Sequence, residues 1–313
     1  MIVGAYLLAS LGALAHLITA TPGLTRPKFD CGTDISHAST DFLSTLESLH
    51  YGTPSSGGSP AARAASSLSP LAPRNKDNNS AITVDTVFHI VAKQSNKADI
   101  TNDMPTAQLD ALNTAYKPYN IQFNLLNVTW NTNDAWAVGE KDADTTMKKT
   151  LRQGSYRTLN IFFQTDLAGG VLGRCTLPSQ LSANAKGDKA DRSVYANDGC
   201  NVNANTMPEG SLDEYNSGMT AVHEAGHWLG LLHTFEGLSC EGPGDYIDDT
   251  PQEKEATDGC PVGKSTCPGK NGAGGADPIH NFMDYSNDGC YEGFTGLQRE
   301  RMHFLFNGFR DGN

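Results

Sequence analysis

The sequence predicts one α+β domain in which two lobes flank a cleft. Patterns typical of strands recur over residues 81–196, and a helix that carries two histidines is expected at about 217–229. The chain that follows is rich in Gly, Pro, Asp and Cys until a last helix at about 295–306. Strands first and irregular chain later, with a histidine-bearing helix between them, indicate two lobes around a cleft.

The strand-rich part begins at residues 81–92, where alternation and β-branched side chains are typical of a strand. A helix is expected at 105–116, since proline is favoured at a helix start. Further strands are expected at 121–130, at 159–165, more weakly at 170–175, and near 193–196. The folded domain is therefore predicted to cover residues 80–313.

The amino-terminal region reads as targeting and processing sequence. Residues 2–18 are apolar and end in small residues near Ala20, which predicts a signal peptide over 1–20. A membrane anchor is the alternative, but the stretch is short for a spanning helix and lacks flanking charge. Residues 21–79 lack sustained periodicity, and 52–79 are rich in Gly, Ser, Ala, Pro and Asn. A propeptide with a flexible linker is expected there, with no stable membrane insertion after signal cleavage.

Composition narrows the range of partners and the compartment. The chain has 313 residues, 38% hydrophobic content and a formal net charge of −12 without any Lys/Arg-rich block, which argues against nucleic-acid binding. Seven cysteines favour an oxidising compartment, so a secreted, extracellular protein is expected. The chain is also expected to be a monomer. Asn78 and Asn127 stand in glycosylation sequons, although such short motifs also occur by chance.

The most specific motif is a histidine pattern in the predicted helix. His223 and His227 lie four residues apart, so their imidazoles share one helix face and can chelate one ion. Glu224 follows at an angle from which its carboxylate can reach a metal-activated water. Gly230 permits a left-handed helix end that turns His233 toward the same ion. Three neutral histidines leave a fourth position open, which is typical of catalytic zinc sites.

Alternatives to zinc catalysis are weaker. Cobalt, nickel or copper would also bind imidazoles, but the short helical bite favours zinc. An amphipathic helix with hydrogen-bonded histidines would explain a lone histidine pair. It does not explain why Glu224, Gly230 and His233 accompany that pair. One Zn²⁺ per chain is therefore expected.

Four segments carry a family resemblance. They are HEAGHWLGLLHTF at 223–235, GDYIDDTP at 244–251, DPIHNFMDY at 277–285 and FTGLQRERM at 294–302. Together they resemble the metzincin metallopeptidases and, among these, the pappalysin family (peptidase family M43) in its small secreted fungal form. The resemblance implies a twisted mixed β-sheet with backing and active-site helices, above an irregular disulfide-rich C-terminal lobe.

The resemblance also implies an activity, the hydrolysis of peptide bonds in extracellular proteins. Glu224 would be the general base, accepting a proton from the metal-activated water and passing it to the leaving amine. Met283 would form an apolar floor below the metal, which is physically close to the role of an ordinary core methionine. Tyr285 would donate a hydrogen bond to the oxyanion, with simple packing in the cleft wall as the alternative.

The cysteines divide into six within the domain and one ahead of it. The resemblance implies two disulfides in the C-terminal lobe, Cys240–Cys267 and Cys260–Cys290. Cys175 and Cys200 then remain for each other. The odd cysteine, Cys31, could place a thiolate on the open metal position until the linker is cut. A free or intermolecularly paired thiol in a mobile tail is the alternative.

Acidic residues beyond the base suggest two further roles. Asp245, Asp248 and Asp249 could bind Ca²⁺ through oxygen, although turn or capping roles fit equally well. Asp288 could face the primed-side pocket and favour Arg or Lys after the scissile bond, with a solvated turn carboxylate as the alternative.

Two competing functions remain. One is a metzincin of another family, astacin-like or snapalysin-like, which the C-terminal segments oppose. The other is a secreted zinc-binding effector without proteolysis, which the intact Glu224 and its three neighbouring histidines oppose.

Overall fold

The computed structural model describes residues 28–51, 80–181, 192–269 and 275–311. The expected signal peptide at 1–20, the linker at 52–79 and the sequon at Asn78 lie outside the described residues. Within the described ranges, no helix has the length and apolar character needed to cross a membrane.

A five-stranded mixed sheet forms the N-terminal lobe, with the strand order β2-β1-β3-β5-β4. Its strands are β1 (Ile82–Ala92), β2 (Ile121–Thr132), β3 (Leu159–Gln164), β4 (Gly173–Cys175) and β5 (Cys200–Asn203). The first four strands in this order pair in parallel, whereas β4 runs antiparallel to β5. Every residue of β3 is buried, as expected for a parallel strand covered on both faces.

Helices cover the sheet and hold the core. They are α1 (Thr40–Tyr51), α2 (Met104–Tyr116), α3 (Asp134–Val138), α4 (Lys141–Leu151), α5 (Met219–Trp228) and α6 (Gly296–Leu305), which continues as a π-helical turn over Phe306–Arg310. The largest apolar cluster joins β1 and β3 to α2 and α5. Because α5 packs on the same core as the sheet, its position is tied to the N-terminal lobe.

The C-terminal lobe is mostly irregular, and disulfides connect it. Cys240 bonds to Cys267 and Cys260 to Cys290, as expected from the resemblance. A third disulfide, Cys175–Cys200, joins β4 to β5 in the other lobe. After α5, the described residues contain one α-helix, α6, so covalent links and buried polar contacts replace regular structure here.

The strand predicted near residues 193–196 is wrong, because a 3₁₀ helix forms there at Arg192–Tyr195. The strand lies later, at β5, where two asparagines interrupt the apolar pattern that would predict a buried strand. Asn201 is fully buried, and its amide donates to Gln164 Oε1 and Asp144 Oδ1 at 2.6 Å each. Polar side chains can therefore occupy a buried strand when neighbouring strands and helices supply their partners.

The N-terminal segment, residues 28–51, is folded onto the domain. Leu172 N–H donates to the Asp30 carbonyl and Gly32 N–H donates to the Gly173 carbonyl, both at 2.8 Å, so residues 30–32 extend the edge of the sheet at β4. Helix α1 then buries Phe42 and Leu46 against Leu232, Leu305 and Phe309. Local sequence patterns do not predict this helix, because its two buried positions give only a weak helical period.

Candidate metal centre

Three histidines converge at the end of α5. His223 and His227 lie one turn apart on the helix, and the chain reverses at Gly230, whose φ is +99°. A Cβ at Gly230 would also collide with the side chain of Leu305, so glycine is required for two reasons. This reversal brings His233 Nε2 to 3.1 Å from His227 Nε2, which is itself 3.1 Å from His223 Nε2.

The outer ring nitrogens fix the tautomers. His223 Nδ1 lies 2.7 Å from the Phe282 carbonyl, and His227 Nδ1 lies 2.9 Å from the Leu231 carbonyl. A carbonyl accepts only, so each Nδ1 carries the proton and each Nε2 presents its lone pair. Burial lowers the pKa of His227 to about 4 and lowers the pKa values of His223 and His233 well below their usual range. All three imidazoles are therefore neutral and could serve as metal ligands.

This donor set fits zinc. Tetrahedral bonds of about 2.0–2.1 Å place neighbouring nitrogens roughly 3.3 Å apart, close to the two separations of 3.1 Å. Met283 is fully buried under α5, and its Sδ lies only 2.5 Å from where a Cβ at Gly226 would stand. The sulfur thus packs under the helix turn that connects the first two histidines.

Cys31 lies at the same place. Its Sγ and one nitrogen of each of the three histidines lie within 4.8 Å of one another, and all four residues are buried. The hydroxyl of Tyr285 accepts a hydrogen bond from Cys31 N–H at 3.0 Å and donates to the Cys31 carbonyl at 3.1 Å. The same hydroxyl is 3.3 Å from His233 Nε2.

Glu224 faces the edge of the sheet. Burial raises the pKa of its carboxyl group to about 8. A Cβ at Gly173 would collide with Glu224 Oε1, so β4 approaches the carboxylate because this position is glycine. Thr33 Oγ1 donates to Glu224 Oε2 at 3.4 Å and accepts from Cys175 N–H at 2.8 Å. The N-terminal segment therefore touches the carboxylate as well as the histidines.

Phe29 is a second residue of the N-terminal segment that contacts the site without any marking in the sequence. Its ring centroid lies 5.0 Å from that of His223, 4.9 Å from that of Tyr285 and 6.1 Å from that of Tyr215. The side chain is 4% exposed. No local sequence pattern identifies Phe29 or Thr33, because both contact residues that are distant in sequence and come close only in the folded chain.

Asp288 lies behind the segment that leads into α5. Its Oδ2 accepts from Ser217 N–H at 2.6 Å, and burial raises the pKa of this carboxyl group to about 6. Its Oδ1 is buried and accepts no hydrogen bond from a described residue. The carboxyl group is therefore not the solvated turn residue of the alternative interpretation.

Arg310 closes the carboxyl end of α5. Its Nε donates to the Trp228 carbonyl at 2.9 Å, and its guanidinium stacks 3.7 Å from the centre of the Trp228 ring. Nη1 lies 3.2 Å from both carboxylate oxygens of Asp198, which also pairs with Arg152. A cation at this end of a helix interacts favourably with its dipole. Arg310 therefore holds the helix that carries the first two histidines.

The three aspartates considered for calcium have separate partners. Asp245 is buried and accepts from Ile247 N–H at 3.0 Å, and burial raises the pKa of its carboxyl group to about 7. Asp248 pairs with His50 at 3.2 Å, and Asp249 accepts from Leu297 N–H at 2.9 Å. Among the described residues, these three aspartates do not converge into a cluster that could hold a metal ion. Calcium at these residues stays a prediction, as does a glycan on the exposed Asn127.

Comparison with known proteins gives consistent matches. The family model of peptidase M43, described as pregnancy-associated plasma protein-A, matches residues 142–307. An extracellular metalloprotease of Aspergillus oryzae is 45% identical over 269 residues, covering 77% of this chain and 82% of that relative. One from Aspergillus fumigatus is 44% identical over 259 residues, covering 74% and 78%.

Solved structures agree on the fold. Mature mirolysin of Tannerella forsythia, in complex with a cleaved peptide, has a TM-score of 0.61 at 24% identity and covers 74% of this chain and 96% of its own. A promirolysin mutant from the same bacterium has a TM-score of 0.63 at 23% identity, covering 88% and 93%. The metzincin fold predicted from the sequence is thereby confirmed.

Proposed function

This chain belongs to the pappalysin family of metallopeptidases, peptidase family M43, and we propose that it is a secreted zinc-dependent endopeptidase with Glu224 as its general base. The observation that carries the proposal is the convergence of three neutral Nε2 atoms beside a buried carboxylate. Relatives described as extracellular metalloproteases support secretion.

His223, His227 and His233 would hold the zinc ion. When bound, zinc lowers the pKa of a water molecule to about 7 and polarises a peptide carbonyl. Glu224 directly follows His223 on α5, so its carboxylate would lie within reach of a water molecule held at the metal. Glu224 would accept a proton from the attacking water and return it to the leaving amine.

Tyr285 would stabilise the oxyanion. Its hydroxyl donates to a peptide carbonyl at 3.1 Å in the described structure, that of Cys31, which supports the same bond to a substrate carbonyl. Leu172 N–H and the Gly173 carbonyl, which pair with residues 30–32, would bind the backbone of an extended protein or peptide substrate.

We further propose that residues 21–79 form a propeptide that keeps the enzyme latent. Cys31 Sγ reaches the histidine cluster, Thr33 reaches Glu224, and Tyr285 is bonded to the Cys31 backbone. Water and substrate would need these same positions. Cutting the chain between α1 and β1 would allow the segment to leave.

Asp288 supports a preference for a basic residue after the scissile bond. A buried carboxylate oxygen without a hydrogen-bond donor is an unfavourable group that a cationic side chain would stabilise. Asp288 N–H donates to the Glu214 carbonyl, its carboxylate accepts from Ser217 N–H, and Tyr215 between these two residues contacts Phe29. A basic side chain would reach it from the position that Phe29 occupies.

The test compares Glu224→Gln with the unaltered sequence, both freed of residues 1–79 and loaded with zinc. We expect the variant to retain zinc and to lose about 10²- to 10⁴-fold in casein cleavage, the usual contribution of a general base. Glu255→Gln is the matched control, because that glutamate is exposed in the C-terminal lobe. Unaltered cleavage in Glu224→Gln would refute the proposed base.

The competing effector function makes a different prediction. A zinc-binding effector would hold one zinc ion yet cleave neither casein nor gelatin after removal of residues 1–79. A proteolytic enzyme would cleave, and a zinc chelator would abolish that cleavage.

A further inference from the structure

The ammonium group of one lysine in the C-terminal lobe is enclosed by oxygens. Lys264 Nζ lies 2.5 Å from Glu253 Oε1, 2.6 Å from the Glu255 carbonyl and 2.9 Å from Thr257 Oγ1. Asp277 Oδ2 lies 3.5 Å away. Two carboxylates, a hydroxyl and a backbone carbonyl from irregular chain form the type of donor set that Ca²⁺ takes in proteins.

Among the residues that the structure describes, the buried carboxylates at this place outnumber the ammonium groups that pair with them. Glu253, Asp277 and Asp284 are 1%, 5% and 0% exposed, and Lys264 is the cation that pairs with the first two. Asp277 Oδ2 accepts no hydrogen bond from a described residue, although it is directed at the ammonium. Burial and the charge of Asp284 raise the pKa of Glu253 to about 7. A buried carboxylate is stable only when a cation or sufficient donors compensate it.

The oxygens around Lys264 are linked to the metal centre on one side. Glu253 Oε2 accepts from Thr234 Oγ1 at 2.9 Å, and Thr234 directly follows His233. A displacement of Glu253 would therefore be transmitted to the loop that carries the third histidine.

A second path leads to the proposed oxyanion donor. Thr257 N–H donates to Asp284 Oδ1 at 3.0 Å, and Tyr285 N–H donates to the same oxygen at 2.7 Å. The oxygens around Lys264 are thus connected through hydrogen bonds both to the residue beside His233 and to the backbone of Tyr285.

We propose that Lys264 is the built-in cation of a hard-metal site, which we call the lysine cage (Glu253, Glu255, Thr257 and Asp277), and that this site binds one Ca²⁺ when the ammonium is removed. In the native chain the lysine does the work of a bound ion, so the cage holds its shape without a divalent metal. Lys264 is accordingly a positioning residue for the lobe that bears His233 and Tyr285.

The test measures Ca²⁺ binding and thermal unfolding of the zinc-loaded full chain. Lys264→Ala removes the ammonium, and Lys254→Ala is the matched control, because it removes an exposed ammonium from the same lobe. We expect calorimetric titration with CaCl₂ to show one more Ca²⁺ site in Lys264→Ala than in the native chain or the control. Without Ca²⁺ its unfolding midpoint falls by roughly 10 °C, and millimolar Ca²⁺ restores at least half of that loss.

A double variant locates the ion. Lys264→Ala with Asp277→Asn retains an oxygen that can accept from Thr266 N–H, as Asp277 Oδ1 does, but lacks the second carboxylate oxygen. The additional Ca²⁺ site should vanish. If it persists, or if Lys264→Ala binds no more Ca²⁺ than the native chain, the lysine cage is refuted.

If Lys264→Ala does not fold, a second variant at the same position provides the test. Lys264→Gln keeps a hydrogen-bond donor without the charge, and the proposal requires the same additional Ca²⁺ site in that variant. Neither readout depends on proteolysis, so failure of the lysine cage and failure of the proposed peptidase activity are distinguishable.

Discussion

The Tyr285 hydroxyl binds the backbone of Cys31 through both of its hydrogen-bonding roles, accepting from the N–H at 3.0 Å and donating to the carbonyl at 3.1 Å. The group proposed to stabilise the oxyanion is therefore engaged by the segment that lies in the cleft. A substrate carbonyl can reach this hydroxyl only after Cys31 has moved. Release of the segment would therefore expose the proposed oxyanion donor in the same step.

Replacement of Tyr285 by phenylalanine tests that role. In the protein freed of residues 1–79, we expect Tyr285→Phe to lower kcat about 10²-fold, because one oxyanion donor is lost, with little change in KM or zinc content. Steady-state kinetics and metal analysis measure these quantities. Tyr291→Phe is the control, since its hydroxyl donates to the Asp284 carbonyl instead. A rise in KM alone would argue for a packing role.

Latency should depend on two residues of the N-terminal segment. We expect uncut Cys31→Ala precursor to cleave a peptide substrate that the native precursor leaves intact, because its ligand-like sulfur is gone. Thr33→Val should produce a smaller leak, about fivefold, since a hydrogen bond is worth roughly 1 kcal/mol. Ser44→Ala, an exposed change in α1, is the control. If the uncut Cys31→Ala precursor cleaves the peptide no faster than the native precursor, the proposed role of Cys31 in latency is refuted.

Much of the fold followed from local patterns, and the remainder depended on distant partners. Alternation predicted β1, and the apolar run predicted β3. In contrast, β5 escaped prediction because Asn201 is satisfied by Gln164 and Asp144, which lie far from it in sequence. Helix α1 escaped because its stability comes from docking of Phe42 and Leu46 rather than from its own periodicity.

The residues of the candidate site also differ in whether a local sequence pattern identifies them. The spacing of His223, Glu224 and His227 has a direct geometric meaning on a helix, so these residues could be proposed from sequence. Thr33 and Lys264 have no such local signature, since each acquires its contacts only when separate segments meet.

Anchoring of α1 can be measured separately from latency. Phe42→Ala should weaken docking of the helix by about 3 kcal/mol, which increases its undocked population roughly 150-fold, because a fully buried ring is lost. Hydrogen exchange over residues 40–51 reports this change. Leu49→Ala lies on the same helix but is 43% exposed and should have little effect. Equal exchange in the two variants would contradict docking of α1 through Phe42.

Asp288 predicts a pH dependence of substrate binding. Its pKa of about 6 means that the carboxyl group is neutral at pH 5 and charged at pH 7, so KM for a substrate with arginine after the scissile bond should fall as pH rises. Asp288→Asn should flatten that profile and raise KM at pH 7 about tenfold or more. Paired titrations of arginine and leucine substrates separate this effect from changes at the metal centre.

The stability effect of Asp288 has the opposite sign. A carboxyl group whose pKa is raised on folding stabilises the folded state in acid, and that contribution is lost as pH rises through about 6. Weaker binding at pH 5 would therefore not be caused by this group unfolding the protein. An arginine preference and pH profile unchanged in Asp288→Asn would contradict the proposed specificity.

Arg310 should matter more for stability than any exposed arginine. Arg310→Met removes the Trp228 cap and one partner of Asp198, and we expect a loss of about 3–5 kcal/mol in the free energy of unfolding. Arg157→Ala, whose exposed guanidinium pairs with Asp311, should cost less than about 1 kcal/mol. Urea titration of both variants provides the comparison, and equal losses would show that the buried pair has no special weight.

The contact between Arg310 and Trp228 also constrains the order of events during synthesis. The residue that caps α5 is translated 82 positions after the carbonyl it binds. During synthesis, the helix bearing the first two histidines therefore lacks its Arg310 cap until the irregular lobe has been translated. The segment at 28–51 is translated long before that cap, so the residues that contact the three histidines already exist when the histidines first come together.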